Sequence, residues 1–478
     1  MAAQSLKEKT LKGIIWSGVE RFSVQGVQFL VMLVIARILD PKDFGLVGML
    51  AIFMAVAQAL IDSGFSQALI RKQNRTEVDN STVFYFNIIS STLLYLLLFF
   101  IAPFVADFYN EPQLCQLMRV LCLTLVINSF TVVQRAIFTA TINFKTQAKA
   151  SFIAAILSGG IGVFFASNGY GVWTLVAQQL TSSLLNTILL WIYSNWHPKL
   201  LYSWASFREL FLFGSKLLAS GLLDTLYRNL YALVIGKVFS AVDLGYYTQA
   251  NRFTDLPSSN ISGILQRVTY PALCSIQDED DKLRQTYRSL LRVSAFIVFP
   301  FMSILAGIAH PLVCFLIGEK WNFAAIMIIP ISFTMMWYPI HAINLNLLQV
   351  KGRSDLFLRL EIIKKIIGVL ILVVSIPFGL VFMCYTGILS SLLGLVINTH
   401  YTGVLIQVGF VMQMRDLSRV LAASLLSFLF TFVTISIFNS VILQLIVGAI
   451  IGTFVYGLII FTFKFEELNY IKDLIKRC

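Results

Sequence analysis

"LVIARILDPKDFG", from Leu33 to Gly45, returns two hundred residues later as "LVIGKVFSAVDLG", from Leu233 to Gly245. The two stretches align without a gap. Leu, Val, Ile, Asp and Gly are identical, and Ala36/Gly236, Arg37/Lys237, Ile38/Val238 and Phe44/Leu244 are close in kind. Each is an apolar helical run that ends in an Asp-Phe-Gly or Asp-Leu-Gly turn. One chain that writes the same helix and turn twice points to a duplicated unit.

The surroundings say what kind of unit. The chain has 478 residues, 58% of them hydrophobic and 13% charged. A soluble domain carries about 25% charge. Long apolar runs recur from end to end, such as "STLLYLLLFFIAPFVADF" from Ser91 and "VLILVVSIPFG" from Val369. This is the pattern of a chain that crosses the membrane many times and turns its surplus apolar surface to lipid. Lys7, Lys9 and Lys12 precede the first apolar run, and no small-residue cleavage site follows it. The first span is therefore expected to stay as an anchor.

The six cysteines show no CxxC pair. Cys115 and Cys122 lie two turns apart on one predicted helix, roughly 10 Å, too far for a disulfide. All six are expected as packing residues or free thiols, and Cys478, the last residue, forms no prenylation box. His197, His310, His341 and His400 are scattered and lack metal-ligand spacing.

Hydropathy predicts about fourteen helical spans of roughly 20 residues each. They centre on 13–38, 44–70, 81–106, 114–143, 149–167, 170–193, 208–236, 244–274, 289–317, 322–350, 359–378, 380–408, 417–438 and 440–463. With the N-terminus cytoplasmic, twenty-five of the 36 basic residues fall at cytoplasmic ends. Among them are Arg71, Lys72, Arg75, Lys199, Arg208, Lys282, Arg284, Arg288, Lys351 and Arg353. Only Arg37, Lys42, Lys237 and Lys320 fall on the other side. The bias places both termini in the cytoplasm. It also accounts for most of the net charge of +12, which is a topological signal and not a nucleic-acid footprint.

The repeated turn joins spans one and two, and then spans seven and eight. Six spans separate the copies, so both point the same way. Ser63–Gln67, "SGFSQ", is echoed by Ser262–Gln266, "SGILQ", and Asn143-Phe144-Lys145 more faintly by Gln349-Val350-Lys351. The expected fold is an all-α integral membrane protein. Two six-helix lobes are related by a pseudo-two-fold axis along the membrane normal, and two C-terminal helices follow. The expected boundaries are 1–200, 201–412 and 413–478. Alternating-access transporters often use such repeats, with the substrate site between the lobes. "SGGIG" at Ser158–Gly162 is read as helix packing rather than phosphate binding.

Seven basic residues remain inside predicted spans: Arg21, Arg119, Arg135, Lys216, Arg228, Arg252 and Arg267. A cation at a helix centre costs about 2.5–3.5 kcal/mol, so these should face a protein interior or a watery cavity. Helical spacing supports that reading. Arg21, Gln25 and Gln28 share a face, as do Gln58, Asp62 and Ser66, and Asn128, Thr131 and Arg135. Lys216, Ser220, Asp224 and Arg228 are each four apart, with Tyr227 and Tyr231 beside them. Gln249, Arg252, Asp255, Ser259, Ser262 and Gln266 form a further stripe, and span ten adds His341 and Asn344. Asp224–Arg228 and Arg252–Asp255 are spaced to pair locally, and Arg119 is placed to snorkel. The interior acids are Glu20, Asp62, Asp224 and Asp255, fewer than the cations. The candidate substrate-binding cations are Arg21, Arg135, Lys216, Arg228, Arg252 and Arg267. Gln25, Gln28, Asp62, Asp224 and Asp255 are the candidate polar or ion-coupling groups. A cationic cavity favours an anionic substrate, and guanidinium forks suit phosphate oxygens.

"YPALCSIQDEDDKLRQTYRSLLR" (Tyr270–Arg292) and "PLVCFLIGEKWN" (Pro311–Asn322), with the opening "LKEKTLKGIIWS" and "ARILDPKDFGLVGM", carry a family resemblance. Over nearly its whole length the chain resembles the colanic-acid-type polysaccharide exporters. These are lipid-linked oligosaccharide flippases of the superfamily that also holds the multidrug and toxic compound extruders. The resemblance implies a bacterial inner-membrane protein. Its implied cargo is an undecaprenyl-pyrophosphate-linked repeat unit, moved from the cytoplasmic to the periplasmic leaflet by alternating access. The implied product is a surface polysaccharide: O-antigen, capsule or exopolysaccharide.

Two other readings stand beside this one. The first is an ion-coupled multidrug extruder, against which the positive interior argues, although Asp62, Asp224 or Asp255 could carry a coupling proton. The second is a membrane-embedded polysaccharide polymerase. Connections such as "DFYNEPQ" at Asp107 and "SNGYG" at Ser167 are too small to carry such a catalytic site, so no enzyme is expected. No cofactor or metal is expected, and coupling to protons or sodium stays open. The expected partners are the lipid-linked substrate, membrane lipids, and a polysaccharide polymerase and glycosyltransferases, with no nucleic acid.

Overall fold

The computed structural model describes residues 2–62, 64–72, 74–465 and 467. Among them every regular element is helical. The chain forms two compact units, residues 1–245 and 246–478. The first contains α1 (Ala2–Ile38), α2 (Pro41–Asp62), α3 (Phe65–Arg71), α4 (Glu77–Tyr109), α5 (Gln113–Leu121), α6 (Leu123–Ser129), α7 (Val132–Ala140), α8 (Phe144–Ser167), α9 (Trp173–Tyr193) and α10 (Trp204–Val238). Helix α11 (Ala241–Cys274) leads into the second unit. There it is followed by α12 (Asp280–Gly307), α13 (Ala309–Ile317), α14 (Asn322–Met335), α15 (Tyr338–Val350), α16 (Ser354–Ser375), α17 (Leu380–Ile406), α18 (Phe410–Ile435) and α19 (Val441–Phe463).

Counted as helical passes, with α2–α3, α5–α7, α12–α13 and α14–α15 each taken as one broken pass, these elements match the fourteen predicted spans. Nine helices among the described residues are long and apolar enough to cross a membrane, or ten if the bent pair 113–129 and 132–140 is one span. The passes that miss this test are α1, α10, α11 and α16. Helices α10, α11 and α16 carry charged or amide side chains along their length, which lowers hydropathy without shortening the helix; of α1, the stretch Phe22–Ile38 is apolar but short.

The breaks have local causes. Between α2 and α3, Gly64 adopts φ +70°, and a Cβ there would lie 2.7 Å from the backbone of Gly214. Only glycine lets α3 turn onto α10 at that distance. The pass from Gln113 to Ala140 bends by 43° without a proline. Its hydroxyls turn back to the chain instead. Thr124 Oγ1 donates to Leu121 O at 2.7 Å, Ser129 Oγ to Val126 O at 2.7 Å and Thr131 Oγ1 to Asn128 O at 2.8 Å, a competition that loosens the helical ladder.

In the first unit α8 lies on α1 through small residues. A Cβ on Gly159 would meet Val31 at 2.5 Å, and one on Gly162 would meet Ile35 at 3.0 Å. The "SGGIG" cluster is therefore a packing surface. One end of this unit is tied by polar bonds. Trp196 Nε1 donates to Glu77 at 3.0 Å, Lys199 N to Ser81 Oγ at 3.2 Å and Ser203 N to Thr82 Oγ1 at 3.0 Å. Lys72 bonds Asp79 and Glu209, each at 3.0 Å, and Asp79 closes a capping box with Thr76 at the start of α4. Burial opposes the Lys72 charge, but the hydrogen bonds to Glu209 and Asp79 outweigh it and raise its pKa above the usual 10.5.

The second unit is held at one end by a buried amide cluster. Asn344 Nδ2 donates to Gln413 Oε1 at 3.2 Å, Gln413 Nε2 donates back to Asn344 Oδ1 at 3.1 Å, and Tyr287 OH joins that oxygen at 2.9 Å. Around it Arg288 pairs with Asp416 at 2.6 Å, and Lys351 donates to Gln277 O at 2.8 Å. The last two helices pack against α12. Gly448 and Gly452 let α19 approach α18, where Ser427 Oγ donates to Gly452 O at 2.7 Å, and Tyr456 OH donates to Phe296 O at 2.9 Å, the small-residue contact of membrane helices.

Candidate functional site

The repeated turn explains itself once its surroundings are seen. A Cβ on Gly45 would stand 1.6 Å from Ala241 O, and a Cβ on Gly245 would stand 1.9 Å from Pro41 O. Residues 41 and 241 are equivalent in the repeat, and so are 45 and 245. Each copy's glycine thus passes over the other copy's first helical carbonyl. The shared aspartates cap their own helices: Asp40 N donates to Asp43 Oδ2 at 3.1 Å, and Ser240 Oγ to Asp243 Oδ2 at 2.7 Å. This turn pair seats α10 against α2 within the first unit.

Polar residues line exposed or half-buried faces of the first unit's helices. On α1, Gln28 is exposed and Gln25 half-buried. At the end of α2, Gln58 Nε2 donates to Asp62 Oδ1 at 3.0 Å. Arg135 on α7 is exposed and within electrostatic reach of Asp62, so the fold brings two of the candidates together. On α10, Arg228 Nε bonds Asp224 Oδ2 at 2.7 Å, with the Arg228 side chain 71% exposed. That is the local pair its spacing predicts. The side chains of Arg21 and Lys216 lie outside those described.

In the second unit Arg252, Asp255 and Arg267 are exposed on α11. The predicted stripe on this helix is narrower than its spacing suggested. Gln249 and Ser262 are buried, and Ser258 Oγ donates to Met335 O at 2.7 Å. His341 and Asn344 do not join an open face either. His341 is held by Asn398 at 3.1 Å and Ser391 at 3.0 Å, and Asn344 belongs to the buried amide cluster. Arg119 is a packing residue: its guanidinium lies over the Phe99 ring at 4.3 Å and bonds Phe99 O at 3.3 Å. Spacing alone could not separate these, because a polar stripe marks a shared helix face and not what covers it.

Two solved structures share this architecture. The inward closed conformation of the lipid II flippase MurJ superposes with a TM-score of 0.76 at 15% identity, covering 97% of this chain and all of that one. An inward-facing multidrug resistance MATE family transporter of the MOP superfamily gives 0.64 at 15% identity, over 83% of this chain and 99% of that one. The likeness is one of fold: this chain has the helical architecture of both. In sequence, the profile of the polysaccharide biosynthesis protein family matches residues 34–326, and the chain belongs to that family. Its relatives include the lipopolysaccharide biosynthesis protein WzxC of Escherichia coli (strain K12), 28% identical over 66% of this chain. The matched region spans 65% of that relative's length, just under two thirds. The teichuronic acid biosynthesis protein TuaB of Bacillus subtilis (strain 168) is 25% identical over 74% of this chain and 73% of its own. The succinoglycan biosynthesis transport protein ExoT of Rhizobium meliloti (strain 1021) is 25% identical over 66% and 63%.

Proposed function

We propose that this protein is a flippase for a lipid-linked oligosaccharide. It takes an anionic undecaprenyl-pyrophosphate-linked repeat unit from the cytoplasmic leaflet of a bacterial inner membrane and delivers it to the periplasmic leaflet. Surface polysaccharide is then built from it by a polymerase supplied by glycosyltransferases. Membership of the polysaccharide biosynthesis family supports the cargo class. The single observation that carries the reading beyond family membership is the placing of Arg135, Arg228, Arg252 and Arg267 on exposed helix faces. A guanidinium facing hydrocarbon is costly, so these faces meet water. Arginine forks there suit a diphosphate. Alternate exposure of these faces to the two sides of the membrane moves the head group, and no bond is made or broken. Both termini are cytoplasmic.

A second reading, an ion-coupled multidrug extruder, draws on the shared MATE fold and on Asp62 and Asp255. Arg252→Gln and Arg267→Gln separate the two. Loss of a charge-assisted hydrogen bond costs about 1–3 kcal/mol, so export of lipid-linked sugar per folded protein should fall roughly five- to 150-fold. Normal export from both variants, together with efflux of cationic dyes, would favour the extruder.

A further inference from the structure

One cavity of the first unit has no part in the account so far. Its volume is about 330 Å³, at the small end of the roughly 300–1,000 Å³ typical of small-molecule pockets. Three connections build it. Asp43 comes from the first turn of α2, and Gln113 and Gln116 from the first turns of α5. Tyr170, Gly171 and Trp173 come from the α8–α9 connection. The lining holds two carboxamides, a carboxylate and two amphipathic aromatics, and no basic side chain.

The connection is shaped to present these groups. Gly169 and Gly171 adopt φ +78° and +53° on either side of Tyr170, conformations that glycine takes without strain. Tyr170 is thereby turned outward, 54% exposed, with its ring 4.9 Å from that of Phe165. A Cβ on Gly171 would lie 3.5 Å from Asp43 Oδ1. Gly171 thus lies directly beside the Asp43 carboxylate in the cavity wall. The fold alone does not ask for such a loop. The connection between α16 and α17 in the second unit turns with Ile376, Pro377, Phe378 and one positive-φ glycine, Gly379.

We infer that this cavity binds an uncharged, hydroxylated sugar ring. Neighbouring hydroxyls on such a ring each donate and accept. Carboxamides do both and a carboxylate accepts, so Gln113, Gln116 and Asp43 can engage a vicinal pair. The aromatic faces offer an apolar platform for the C–H side of the ring, with polar edges that stay wet. The Asp43 carboxylate in the lining selects against acidic sugars. The cavity lies at the end of the unit away from Lys72 and Lys199. That the sugar is part of the delivered glycan rests on the flippase reading, while the binding itself does not.

Saturation-transfer NMR on the full chain in detergent tests this, with the methyl glycosides of glucose, galactose, mannose and N-acetylglucosamine as probes. At least one should receive saturation from the protein. Tyr170→Ala and Gln116→Ala, both at exposed positions, should each weaken that binding roughly tenfold or more. Tyr170→Phe, which keeps the ring, should retain most of it. Thermal unfolding establishes that the variants are folded. No transfer to any probe, or transfer unchanged in both alanine variants, overturns the inference. Charge-dependent export without sugar binding would sink this inference alone. Pocket-dependent sugar binding by a protein that moves no lipid-linked sugar would sink only the flippase reading.

Discussion

Gly45 and Ala241 meet so closely that a Cβ on the glycine would lie 1.6 Å from the alanine's carbonyl oxygen, and Gly245 meets Pro41 in the same way at 1.9 Å. The two copies of one turn are thus each other's packing partner. Neither glycine can gain a side chain while the pair stays closed. Gly45→Val and Gly245→Val should each disfavour the closed pair by about 1–3 kcal/mol, as overpacking does. Both variants should insert normally and export poorly. The double variant should lose much less than the sum, because the first substitution already parts the turns. Normal export from both single variants, or additive losses, would show that the contact does not govern transport.

The orientation predicts chemical accessibility. In a cysteine-free background, single cysteines at Asn110 and Asn168 should react with an impermeant thiol reagent from outside the membrane. Cysteines at Lys199 and Gln277 should react only after permeabilisation. The reverse labelling would invert the orientation and the direction of transport with it.

The tie at Lys72 is a stability element. Lys72→Gln removes a charged donor from Asp79, which is 2% exposed, and should cost about 1–3 kcal/mol. Glu209 is 63% exposed, so Glu209→Gln should cost far less. The folded-state pKa of Lys72 is raised. Its contribution is therefore fully present below the unfolded value of 10.5 and is lost as the pH rises through the raised folded value. Melting curves of wild type and Lys72→Gln should stay equally separated from about pH 7 to about pH 9 and converge only in stronger alkali. Convergence near neutral pH would contradict this.

The amide cluster of the second unit should behave cooperatively. Gln413→Leu leaves Asn344 and Tyr287 facing an apolar side chain in a buried site. A loss of about 1–3 kcal/mol is expected, read as a lower melting temperature of the detergent-solubilised protein. Asn344→Leu in addition should cost less than it does alone, since its bonds to Gln413 are already lost and only the Tyr287 contact remains to lose. An additive double variant would show two independent contacts.

Much of this was legible in the sequence. Hydropathy located the helical passes, and the repeat located the turn pair, because a gapless Asp-x-Gly match over such a distance reflects one geometry used twice. The glycine's purpose was not legible, since what it meets lies on the other copy. Nor was the bend between Gln113 and Ala140, where no proline marks the break and the cause lies in hydroxyls that compete for carbonyls. The polar stripes of α1, α10, α11 and α15 told which helices carry polar side chains. They did not tell that Gln249 and Asn344 turn inward while Arg252 and Arg267 stay exposed. That division depends on neighbours far along the chain. The sugar-sized cavity was hidden for the same reason: Asp43, Gln116 and Tyr170 are unremarkable until three connections meet.

The lipid-linked sugar itself gives the most direct test of the central claim. Its sidedness can be read in spheroplasts of a host that makes the repeat unit but lacks its own exporter, using an impermeant oxidant that marks only glycans on the outer leaflet. Expression of this protein should bring the lipid-linked repeat unit under attack, and Arg252→Gln with Arg267→Gln at equal abundance should largely abolish that. If the repeat unit stays protected when the wild-type protein is present and folded, the protein does not move it and the flippase account is wrong.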